Sequence, residues 1–89
     1  MIAFAKLLVL PAKEAGMKVP DDPDHFVIKG FPHFHVFCLC QLGASMPYPE
    51  AAFHNAKVIA AVSEEKIMTL TYWELLDLGF AEGSSTLLN

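Results

Sequence analysis

Residues 33–40, His-Phe-His-Val-Phe-Cys-Leu-Cys, set the folding problem for this chain. The run is apolar and aromatic, and it alternates in the manner of a half-buried strand. It also concentrates side chains that ligate metals or act as nucleophiles. His25 precedes it and His54 follows, so all four histidines and both cysteines lie within residues 25–54. Gly30-Phe31-Pro32 separates it from a second alternating run at 25–29. Two such runs joined by three residues containing glycine read as a β-hairpin over about 25–40. Side chains then alternate between two faces. Phe26, Ile28, Phe34, Val36, Cys38 and Cys40 share one face. His25, Val27, Lys29, His33, His35 and Phe37 share the other.

The flanking sequence completes a mixed pattern. Residues 2–10 are apolar on both alternating faces, as in a buried strand, with a helix as the alternative. Pro11 can open a short helical turn and Gly16 can close it. Two prolines and three aspartates make 17–24 a loop. Pro49 suits the first turn of a helix over about 49–62, with Phe53, Ala56 and Ile59 or Ala60 at helical spacing. A shorter helix followed by a hairpin of 57–62 and 66–71 is the competing reading. Residues 66–70 read as a strand in both. Thr71-Tyr72-Trp73-Glu74 has the capping-box pattern, and a short helix over 72–78 stops at Gly79. The tail 81–89 frays. The expected fold is a single α+β domain over 1–89. Its sheet is small and largely antiparallel, with three or four strands, and two helices pack on one face.

Composition narrows the function classes. Hydrophobic residues make up 54% and charged residues 18% of the chain. That balance argues against disorder, and it leaves more apolar surface than one small core hides. A homodimer or a bound partner would cover the excess. The formal charge is −4, with six lysines and no arginine, which argues against nucleic-acid binding. No apolar run reaches the ~18 residues of a membrane span. At the N-terminus Lys6 interrupts the apolar stretch, and Lys13 and Glu14 stand where a signal peptide needs small residues. An intact cytoplasmic chain with two reduced thiols is the expectation.

Three kinds of chemistry are open to these residues. His33 and His35 share the polar hairpin face and His25 lies diagonally across from His35. The three imidazoles could hold zinc, copper or nickel, although no C-x-x-C or H-E-x-x-H motif is present. Cysteine catalysis would need Cys38 or Cys40 activated beside a histidine, and the strand reading points both into the apolar face. No G-x-S-x-G, P-loop or G-x-G-x-x-G occurs, which argues against an enzyme. Tyr72, Trp73, Phe80 and Phe37 are candidates for a protein-binding surface. The function expected is a small non-enzymatic regulator or inhibitor that binds another protein. By analogy, phage and mobile-element accessory proteins of this size act on host proteins in this way. The alternatives are a metal-binding protein using the histidine face, and a small ligand-binding or enzymatic homodimer. No cofactor is expected, apart from zinc in the metal reading.

Overall fold

Helices α1 (Ile2–Glu14), α2 (Pro32–Ala44), α3 (Pro49–Ala60), α4 (Glu64–Ile67) and α5 (Tyr72–Asp77) make up the computed structural model. It describes residues 2–21, 30–44 and 49–81. No strand occurs among them, so the α+β sheet is replaced by an all-helical arrangement.

The central correction concerns residues 33–40, which wind into α2 rather than a hairpin strand. Its buried residues are Phe34, Phe37, Cys38 and Gln41. Their spacing is the i, i+3, i+4, i+7 pattern of a helix face. A run that is apolar nearly throughout fits either period, and length arbitrates between them. Thirteen residues exceed an ordinary strand of about 5–6 residues. Pro32 opens the helix at its first position, where its missing N–H has no helical partner to lose. Packing reinforces the choice, because α2 meets α1, α3 and α4, and a helix apolar all round is stable only when covered on several sides. The other half of the expected hairpin, 25–29, lies outside the described residues.

Two further strands are also corrected. Residues 2–10 are helical, and α1 continues through Pro11. Pro11 lacks the N–H that would bond the Leu7 carbonyl, and Leu7 is exposed. Residues 66–70 form the end of α4 and the turn into α5. Ser63 caps α4, its hydroxyl accepting from the Lys66 N–H at 3.2 Å.

The helix ends explain how two connecting residues reach the core. Gly16 takes a φ of 85° and Gly79 a φ of 111°, values that favour glycine. After α1, the Gly16 N–H donates to the Lys13 carbonyl at 2.9 Å and the Met17 N–H to the Ala12 carbonyl at 2.9 Å. After α5, the Gly79 N–H donates to Leu76 at 3.0 Å and the Phe80 N–H to Leu75 at 3.1 Å. Both are Schellman turns, in which the residue after the glycine packs back on the helix. Met17 with Ala12, and Phe80 with Leu75, are buried accordingly. They join Leu8, Phe34, Phe37, Cys38, Ala56, Ile59 and Ile67 in one core cluster.

The start of α5 carries the capping box expected from its sequence. The Glu74 N–H donates to the Thr71 hydroxyl at 3.1 Å, and the Thr71 N–H donates to the Glu74 carboxylate at 2.9 Å. The second Glu74 oxygen pairs with Lys66 Nζ at 3.1 Å. The Thr71 N–H, and after it Lys66, hold the Glu74 carboxyl below the usual carboxylate range.

Candidate binding surface around Leu70

Two open apolar grooves flank Leu70 among the described residues. One lies between the end of α3, α4 and α5. It has a volume of about 520 Å³ and is walled by Val58, Val62, Leu70 and Leu78, with Lys66 and Asp77 among its polar residues. The other lies between α2 and α4. It has a volume of about 610 Å³ and is lined by His35, Val36, Leu39, Ile67, Met68 and Leu70. Leu39, Met68 and Leu78 are exposed, Met68 by 71%.

Trp73 on α5 is the most exposed large apolar side chain described, at 74%. Tyr72 stands edge-on to Trp73 at 6.3 Å and edge-on to Phe80 at 6.2 Å. It thus links an exposed aromatic to a core one. Of the four residues expected at a protein-binding surface, Tyr72 and Trp73 are exposed. Phe80 and Phe37 are core residues, at 4% and 0% exposure.

The histidines are arranged quite differently from a shared strand face. His33 Nε2 donates to the Val62 carbonyl at 2.6 Å, tying the first turn of α2 to the α3–α4 connection. His54 Nε2 donates to the Gly79 carbonyl at 2.7 Å, tying α3 to the turn after α5. A carbonyl only accepts, so each ring carries a proton at Nε2 and that nitrogen has no lone pair for a metal. His35 lies about 200° around α2 from His33, beside the second groove. His25 lies outside the described residues. Among those described, no group of three or more His, Cys, Asp or Glu side chains could hold a metal ion.

Cys38 is buried and Cys40 half-buried. Burial pushes the Cys38 thiol up to about 12 and raises Cys40 as well. Since the thiolate is the reactive form, both are poor nucleophiles in the fold. With Ellman's reagent at about pH 8, both thiols should label much more slowly in the native protein than in the denatured chain. Equal rates in the two states would contradict the burial described.

Sequence reasoning missed Leu39, Met68, Val58 and Val62. Their grooves form only where helices distant in sequence meet, α3 with α4 and α5 in one and α2 with α4 in the other, and no local spacing announces that. Among the described residues, no helix is long and apolar enough to cross a membrane. No protein-family model, curated protein or solved structure matches the chain.

Proposed function

We propose that this chain is a small, non-enzymatic, cytoplasmic protein-binding domain, a regulator or inhibitor that docks through the surface around Leu70 and Trp73. The observation that carries this reading is the placement of Trp73. It is 74% exposed on a helix fixed at one end by a capping box and at the other by a Schellman turn. A tryptophan on a rigid support loses little conformational freedom on binding, and tryptophan is enriched at interface hot spots. Exposed Met68 and Leu39 offer apolar contacts that adapt to a partner. None of the three is needed to cover the core, so their exposure is surface available to a second molecule.

The test is native mass spectrometry of the protein purified gently from its own cells, as wild type and as Trp73→Ser. The wild type should carry a second polypeptide at stoichiometric mass. Trp73→Ser should retain its melting temperature and bind that polypeptide at least about tenfold more weakly. A wild type found bare would overturn the binding reading. Equal retention by both proteins would move the docking face elsewhere.

A further inference from the structure

We infer that the groove between α3, α4 and α5 takes a basic amphipathic helix of the partner, with apolar side chains on Val58, Val62 and Leu78 and a lysine or arginine at Asp77. This rests on the protein-binding reading above. The lining of the groove is mostly apolar, and with Lys66 paired to Glu74 the charge it leaves uncompensated is the Asp77 carboxylate, an arrangement suited to an amphipathic helix that carries a cation beside its apolar stripe.

The charge distribution selects the partner's sign. Residues 61–81 hold Glu64, Glu65, Glu74 and Asp77 against a single cation, Lys66. Glu74 already engages Lys66. On the neighbouring stretch of α3, Lys57 sits over the Phe53 ring, 4.8 Å from its centre. Asp77 has no cation partner among the described residues, yet it lines the groove.

Asp77 also occupies a position that the fold itself does not favour. It is the last residue of α5, and the last turn of that helix has no basic side chain. Carbonyls cluster at that end, where a negative charge is destabilising and a positive one is stabilising. A carboxylate there gains from an external cation what the fold does not give it. It also stands four residues after Trp73, which makes the two neighbours on the helix surface. A partner cation at Asp77 would therefore sit beside the exposed indole. A second copy of this chain, docked through the same groove by a two-fold axis, would bring together two patches of the same net negative sign.

The experiment titrates the full ¹⁵N-labelled chain with two synthetic helices of about 15 residues, long enough to form marginally helical peptides. Both have the same leucine stripe, and the polar face is lysine in one and glutamate in the other. The lysine peptide should shift the amides of Val58, Val62 and Leu78 and bind about tenfold more tightly at low salt, with the preference shrinking as salt is added. Asp77→Lys, which suits the helix end, should keep its melting temperature and abolish that preference. Asp77→Asn should reduce it about threefold. Equal seating of both peptides in the groove would overturn the basic-partner inference and leave groove binding standing. Shifts outside the groove, or none, would overturn the inference, and the native mass comparison would then decide the binding reading independently. Groove shifts that grow with protein concentration alone would assign the site to a second copy and also overturn it.

Discussion

Replacing Phe37 with alanine is expected to destabilise the fold by about 3–5 kcal/mol and to lower the melting temperature by on the order of 20 °C. Phe37 is wholly buried on α2, the helix that meets α1, α3 and α4. Truncating it removes apolar area from a core that several elements share, and surrounding helices collapse only partly into the cavity. Domains of this size sit near the low end of a stability range of about 5–15 kcal/mol. The variant should therefore be partly unfolded at moderate temperature. Phe34→Ala should behave similarly, because Phe34 is 2% exposed one helical turn earlier. The pair is diagnostic: residues three apart share a helix face but lie on opposite faces of a strand. Urea denaturation of both variants tests this. A loss below about 1 kcal/mol for either one, as at a half-exposed strand position, would count against α2 as described.

The parts of this fold that were legible in the sequence are those with their own local chemistry. Thr71 and Glu74 cap α5 with side-chain oxygens three residues apart, and Gly79 ends it. Pro49 and the spacing of Ala56 and Ile59 likewise lead to α3. In α2 the local signals conflicted. His33 and His35 alternate with apolar residues, which imitates a strand, while Phe34, Phe37, Cys38 and Gln41 follow a helix. The helical set is complete only if glutamine counts as a core residue. It does so here because Asn55, on another helix, hydrogen-bonds to it. In α1, Pro11 looks like an opening residue and instead lies inside a longer helix. The candidate surface divides in the same way. Trp73 and Tyr72 stand out by residue type, whereas Leu39 and Met68 gain meaning only from the helices beside them. The expected histidine face depended on a period of two; on α2 His33 and His35 point to different sides, and His25 lies outside the described residues.

Asn55→Leu is expected to destabilise the protein by about 3 kcal/mol, and Gln41→Leu by less than about 1 kcal/mol. Both residues are buried, Asn55 completely and Gln41 at 2% exposure. Their roles are unequal. Asn55 clamps the backbone of Ala81: its Oδ1 accepts the Ala81 N–H at 2.8 Å, and its Nδ2 donates to the Ala81 carbonyl at 3.1 Å. With His54 held to Gly79, two consecutive residues of α3 fasten the segment that keeps Phe80 in the core. Leucine at 55 leaves both backbone groups of Ala81 and the side-chain Oε1 of Gln41 without these bonds. The alternative is for the segment to detach, which uncovers Phe80 and loses about 1.5–3 kcal/mol of apolar burial. Gln41 contributes one acceptor to Asn55 Nδ2 at 3.1 Å, and that nitrogen keeps its bond to Ala81. The Gln41 Nε2 is buried with no partner among the described residues, a penalty that leucine at 41 removes. Chemical denaturation gives the two stabilities, and amide exchange at Ala81 reports the clamp, with faster exchange expected in Asn55→Leu. A larger loss for Gln41→Leu than for Asn55→Leu, or unchanged exchange at Ala81 in the latter, would show that another contact holds this segment to α3.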